Sequence, residues 1–226
     1  MPQAKSQRSS VLQHIGWVPF ACVIAMVLVL SLAGVTWLTS PYWGHNAQAQ
    51  ERNVGSVPTT AGVGSDAAAL ALSPNRVELP TLKAQAPVVS VATSSNGELE
   101  IPLDPKIVGW WKPGAQPGAK TGTAVLAGHI NYAGVTGALA DIGKLKPGDP
   151  VYVFGTHNVA KNGAGRRAEV KFSVTGVRTY HKTSLPYRQI FDQKVVGRIA
   201  LVTCGGPFDA ATGNYLDNIV VYAVPA

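Results

Sequence analysis

The chain has 226 residues, 46% of them hydrophobic and only 14% charged, with a formal net charge of +7. That balance suits anionic surroundings such as cell-wall polymers or lipid head groups, although a mildly basic solubilising surface is the favoured account. No Lys/Arg cluster with interleaved aromatics occurs, so the charge does not point to nucleic acid.

Residues 1–17 carry Lys5 and Arg8, and the first acidic residue is Glu51. Between them, Val18 to Leu38 contains no charged residue. A helix of that length rises about 31 Å, enough to cross a bilayer core. Positive charge on the N-terminal side predicts a cytoplasmic N-terminus and an extracellular remainder. Trp17, Trp37 and Trp43 fall near the two expected interfaces. A cleaved signal peptide ending near Ala47-Gln48-Ala49 is the alternative, but the apolar run is longer than a usual signal core. The reading is therefore a cytoplasmic stretch 1–17, a single-pass membrane anchor 18–38 and an extracellular chain. Residues 39–73, rich in Ala, Gly, Ser and Thr without periodicity, read as a flexible tether.

The folded domain is expected over 74–226. Short runs rich in Val, Ile, Thr and Tyr recur there, as strands prefer. They span Arg76–Pro80, Pro87–Ala92, Leu99–Pro102, Thr123–His129, Pro150–Phe154, Glu169–Tyr180, Arg198–Cys204 and Asn218–Val224. Turn signals such as Asn96-Gly97, Pro117-Gly118 and Pro147-Gly148 separate them. Asn162-Gly163 predicts a long hairpin, and Leu139, Ile142 and Leu145 predict one short helix over Gly137–Leu145. Eight short strands with little helix predict a mainly β domain, either a sandwich or a closed barrel.

Cys22 lies inside the apolar span, so Cys204 stands alone outside the membrane. An unpaired thiol in an oxidising compartment calls for a reason, although a buried inert cysteine supplies one. Of the five histidines, His14 is placed in the cytoplasm and His45 in the tether. His157 falls in the hairpin loop, and His181 follows the strand that ends near Tyr180. His129 ends an apolar run, Thr123-Ala-Val-Leu-Ala-Gly-His129, which places it at a sheet rim. Cys204 ends Ile199-Ala-Leu-Val-Thr-Cys204 and is followed by Gly205-Gly206, which lets another chain come close. A thiol beside an imidazole can give up its proton and become a nucleophile, and the imidazolium can then protonate a leaving amine. The spacing alone does not put the two in contact. No Cys-x-x-Cys or His-x-x-x-His metal pattern, Gly-x-Ser-x-Gly elbow or phosphate loop is present, so neither metal nor cofactor is expected.

Thr121-Gly-Thr-Ala-Val-Leu-Ala-Gly-His129 and Leu201-Val-Thr-Cys-Gly-Gly-Pro-Phe-Asp209 resemble the histidine and cysteine motifs of sortases. The Cys-Gly-Gly form, the run Val108-Gly-Trp-Trp111 and the Pro-Gly-rich approach to the histidine look most like the class F sortases of actinobacteria. Pro74-Asn-Arg-Val-Glu-Leu-Pro80 and Tyr215-Leu-Asp-Asn-Ile-Val-Val-Tyr222 fit as well. The resemblance implies a closed eight-stranded β-barrel with one or two short helices. It implies a cysteine transpeptidase that cleaves a Leu-Pro-x-Thr-Gly-like sorting signal on secreted proteins. A thioacyl enzyme then passes its acyl group to an amine of a cell-wall precursor or a pilin. By position, Cys204 would be the nucleophile, His129 the acid/base partner and Thr203 a shaping residue, with the loop from Thr179 to Arg198 as one groove wall. Leu79-Pro80-Thr81-Leu82 lacks the glycine of a sorting signal, which fits enzyme rather than substrate.

The sequence departs from the family pattern in one respect. The final-strand arginine that binds substrate and stabilises the oxyanion falls in the slot Leu216 to Asn218, where no arginine stands. Arg198 lies six residues before Cys204, about 20 Å away by strand rise. Arg188 in the groove wall, Arg178 at a strand end or a neutral donor from Asn218 are the remaining candidates. Two rival readings follow: a catalytically silent barrel that binds peptide or wall polymer, and a thiol hydrolase that releases peptides to water.

Overall fold

In chain order, Pro150–His157 buries every second residue, and Arg166–His181 does the same from Val170 to Val174. Alternation of that kind builds a sheet with one covered face. In a computed structural model, residues 53–59, 70–157 and 165–226 are described. The strands are β1 (Val54–Gly55), β2 (Ser73–Leu79), β3 (Ala84–Val91), β4 (Val108–Trp111), β5 (Thr123–Ala127), β6 (Asn131–Tyr132) and β7 (Val135–Thr136). They continue with β8 (Pro150–His157), β9 (Arg166–His181), β10 (Arg198–Asp209) and β11 (Asn214–Pro225). A four-residue helix, α1 (Tyr187–Ile190), lies between β9 and β10.

Eight strands close a barrel in the order β8-β2-β3-β4-β5-β10-β11-β9, and β9 pairs back onto β8. Two of these pairings, β3 with β4 and β5 with β10, are parallel. The barrel is filled by Leu72, Leu79, Leu126, Leu139, Ile142, Leu145, Phe172, Leu201 and Val221, all essentially inaccessible to water. Each large side chain of that set stabilises the fold by roughly 1.5–3 kcal/mol. A second apolar cluster covers the outer face of β5, β10 and β11, where Val125, Ala200, Val220 and Tyr222 meet Ile190 of α1. Trp111 and Phe191 pack against it edge to face, with ring centroids 5.0 Å apart.

The closed, mainly β barrel agrees with the expected fold class. Several local expectations are corrected. Leu99–Pro102 is not a barrel strand: the chain from Ala92 to Glu100 folds back on itself through Ser94, Gly97 and Glu98, leaving a single bridge between Thr93 and Leu99. Val108–Trp111 takes the strand position instead, pairing with both β3 and β5. The expected helix over Gly137–Leu145 reduces to a 3₁₀ turn at Ile142–Lys144, because a spacing of three suits that tighter helix. Within the expected tether, the described residues 53–58 and 70–73 are bound to the barrel: Val54 pairs with Val177, and Ser73 pairs with Thr156. The expected membrane span 18–38 and the Asn162-Gly163 turn lie outside the described residues. Among the described residues, no helix is long and apolar enough to cross a membrane.

Candidate active site

The two rim residues are brought together by strand register. In the parallel pair β5–β10, Arg198 faces Thr123 and Val202 faces Ala127, a constant offset of 75 positions. Carried two residues further, the same offset sets Cys204 opposite His129. Two hydrogen bonds hold the rims at that point. The Gly128 amide donates to the Val202 carbonyl over 3.0 Å, and the Thr203 hydroxyl donates to the Gly128 carbonyl over 2.8 Å. On the other side, the antiparallel register of β10 and β11 sets Asn218 directly across from Cys204. Cys204 is thus flanked by His129, two residues beyond the end of β5, and by Asn218 on β11, and it is half-buried with no disulfide partner among the described residues.

All three line one groove of about 800 Å³. Its floor is apolar, formed by Trp111, Ala127 and Val202. One wall is the fold-back at Thr93–Leu99, and the other is Leu185 to Phe191 around α1. Within the expected wall from Thr179 to Arg198, Leu185, Tyr187, Arg188, Ile190 and Phe191 line the groove, whereas Thr179 to His181 belong to β9.

His129 is set by its surroundings as well as by strand register. Its ring stacks on Tyr132, with centroids 5.1 Å apart. Burial pushes its pKa below the ordinary 6.5, while the Pro102 carbonyl, acting as a hydrogen-bond acceptor, opposes that shift. A neutral imidazole at neutral pH is free to accept the thiol proton. Gly137 lies beneath the His129 backbone, so close that an added Cβ would fall 1.8 Å from the His129 carbonyl oxygen.

The arginines separate clearly. Arg188 is exposed and lines the groove. Arg178, expected as a possible visitor to the site, points elsewhere. Its guanidinium donates to the carbonyls of Val54 and Gly55, each over 2.6 Å, because β1 lies alongside the end of β9. Arg198 is buried, donating to the Thr123 hydroxyl over 2.9 Å and to the carbonyls of Pro58 and Gln189. Leu216 precedes Asn218 by two on β11, so it shares the face of β11 that looks toward the groove, and it is exposed. Among the described residues, no cluster of His, Cys, Asp or Glu could hold a metal. Sequence reasoning had no handle on Pro102, Tyr132 or Gly137, because Pro102 and Gly137 meet His129 from loops and Tyr132 from the short hairpin strand β6, outside the barrel register.

The geometry offers a thiol, an imidazole and an amide side by side at one end of an apolar groove, an arrangement suited to acyl transfer through a thioester. The sortase domain family model matches residues 77–226. Solved structures similar to the chain include sortase C from Clostridium perfringens SM101, at 19% identity and a TM-score of 0.45, covering 68% of this chain and 69% of that one. Sortase C1 from Streptococcus agalactiae gives 19% and 0.47, covering 67% and 66%. The SrtA sortase from Actinomyces oris gives 20% and 0.45, covering 77% and 89%. No curated protein matches the chain. The family match spans 150 of 226 residues, and on that match the chain belongs to the sortase family, cysteine transpeptidases that act on peptide bonds.

Proposed function

We propose that the chain is a membrane-anchored sortase of the class F kind, held by residues 18–38 with its N-terminus in the cytoplasm and its catalytic domain outside the cell. The single observation behind this reading is that Cys204 and His129 line one groove, each two residues past the last pair of the parallel β5–β10 register.

In this reading a Leu-Pro-x-Thr-Gly-like signal at the C-terminus of a secreted protein lies along the apolar floor. His129 takes the Cys204 proton as sulfur attacks the carbonyl carbon of the threonine. The tetrahedral intermediate collapses to a thioester as the threonine–glycine C–N bond breaks, and His129 returns the proton to the departing glycine amine. An amine from a cell-wall precursor or a pilin then attacks the thioester and releases the thiol. Arg188 and Asn218 are the donors proposed for the oxyanion, in place of the absent final-strand arginine.

The test is a reaction of the full chain with a fluorogenic Leu-Pro-x-Thr-Gly peptide library, with and without an added amine, beside Cys204→Ala. Cleavage that depends on Cys204 and yields an amine-capped product supports the reading. Cleavage to the acid alone, even at high amine concentration, would make it a thiol hydrolase. No cleavage of any peptide would favour a silent peptide-binding or wall-polymer-binding barrel, the reading that Leu216 in the arginine slot motivates.

A further inference from the structure

Residues 53–58 lie upstream of the segment that matches the sortase domain, yet they are bound along most of their length. Val54 and Gly55 pair with Val177 and Gly176 of β9, and the Ser56 amide donates to the Thr175 carbonyl over 2.8 Å. Arg178 closes over the same stretch through the carbonyls of Val54 and Gly55. Val57 packs into the apolar cluster beneath the groove, and the Pro58 carbonyl accepts from Arg198.

Arg198 is the unusual member of this set. It is 2% exposed, and among the described residues no carboxylate lies within salt-bridge distance of it. Its guanidinium sits 5.0 Å from the centre of the Tyr222 ring. Its donors go to the Thr123 hydroxyl and to two backbone carbonyls, Pro58 on the upstream segment and Gln189 on α1. The nearby charge of Asp192 favours the cation from beyond salt-bridge distance, so a cation this buried is tolerated only while its own donors are satisfied. The Pro58 and Gln189 carbonyls therefore depend on one another: removing either leaves guanidinium donors unpaired and frees Arg198 to turn away from the other.

We propose that residues 53–58 are a positioning strap, which through Arg198 fixes α1 and with it the groove wall carrying Tyr187, Arg188 and Ile190. The strap makes no contact with the thiol or the imidazole. It acts on the peptide-binding wall, so its loss raises KM more than it lowers kcat. The coupling itself is independent of the proposed reaction, whereas the kinetic consequence rests on it.

Gly176 allows the strap to be displaced without altering the groove. A Cβ there would lie 2.6 Å from the Ser56 carbonyl oxygen, so Gly176→Ala pushes the strap off β9. Arg198→Met cuts the link from the other side while keeping an unbranched apolar side chain. Both are made in the full chain, checked for a cooperative melt, and followed by hydrogen exchange at residues 54–57 and 187–191. In each variant, exchange is expected to rise at both segments by about tenfold or more, as for a local opening. KM for the fluorogenic peptide is expected to rise about tenfold with kcat changed less than twofold. Release of 54–57 in Gly176→Ala with 187–191 still protected would overturn the proposal. So would an Arg198→Met variant that loosens 187–191 and leaves 54–57 as protected as before. If the unmodified chain cleaves no peptide, the proposed reaction fails while the exchange measurement still decides the strap.

Discussion

The Thr203 hydroxyl donates to the Gly128 carbonyl over 2.8 Å, linking the residue before Cys204 to the residue before His129. The bond is buried, so an unpaired carbonyl there costs about 1–3 kcal/mol. Thr203→Val keeps the shape and removes the donor. It is expected to destabilise the domain by about that amount and to lower kcat about tenfold or more by loosening the two rims. Thr203→Ser should restore most of both. Thermal unfolding and peptide-cleavage kinetics check this, and a valine variant with unchanged kcat would remove Thr203 from any positioning role.

Gly137 sets His129 from below. With a Cβ only 1.8 Å from the His129 carbonyl oxygen, alanine cannot be accepted unless that backbone shifts. A shift of about 1 Å at a reacting group can cost on the order of a hundredfold in rate. Gly137→Ala is therefore expected to lower kcat by ten- to a hundredfold, while Cys204 still reacts with a small alkylating agent. Kinetics paired with alkylation rates separate the two effects. Unchanged turnover would mean that the His129 backbone is not held by this contact.

The barrel strands were legible because one-sided burial imposes a period of two, as along Val151-Tyr-Val153 and Val170-Lys-Phe172. Cys204 and His129 were legible as candidates because each ends an apolar run beside glycine, but the strand end expected at Cys204 is not there: β10 runs on to Asp209, since Gly205 and Phe208 still find partners on β11. What local pattern does not carry is partnership. Val108–Trp111 is only four residues long and contains Gly109, whose missing Cβ lets Val91 approach. Nothing in such a run announces a strand between two others. The 53–58 segment has tether composition, and its attachment comes from Arg178 and Arg198, more than 120 positions away. Arg178 looked available to the groove for the same reason, since its true acceptors are distant in sequence.

Arg188 is the arginine among those weighed that reaches the groove lining. If it supplies the oxyanion donor, Arg188→Ala should lower kcat by about 10²–10³ with little change in the alkylation of Cys204. Asn218→Ala, removing a neutral donor, should cost less. Leu216 shares the groove-facing side of β11 with Asn218, so Leu216→Arg in the Arg188→Ala background is expected to recover part of the loss. A fully active Arg188→Ala variant would transfer the role to Asn218 or to backbone amides.

The pH response of His129 follows from its burial. Desolvation disfavours the imidazolium and holds the ring below its ordinary pKa of 6.5. Between that lowered value and 6.5, the unfolded chain binds a proton at His129 that the folded chain does not. Stability therefore rises with pH across this window, is fully present above 6.5, and is lost as the solution is acidified through it. The same shift moves the acid limb of kcat/KM, wherever His129 must be neutral to take the thiol proton, to below pH 6.5. Imidazole NMR of the Cys204→Ala chain should give a His129 midpoint below 6.5, and His129→Asn should flatten the corresponding part of the stability curve. A midpoint at or above 6.5 would mean the ring is solvated, and that His129 spends much of its time as a cation near neutral pH.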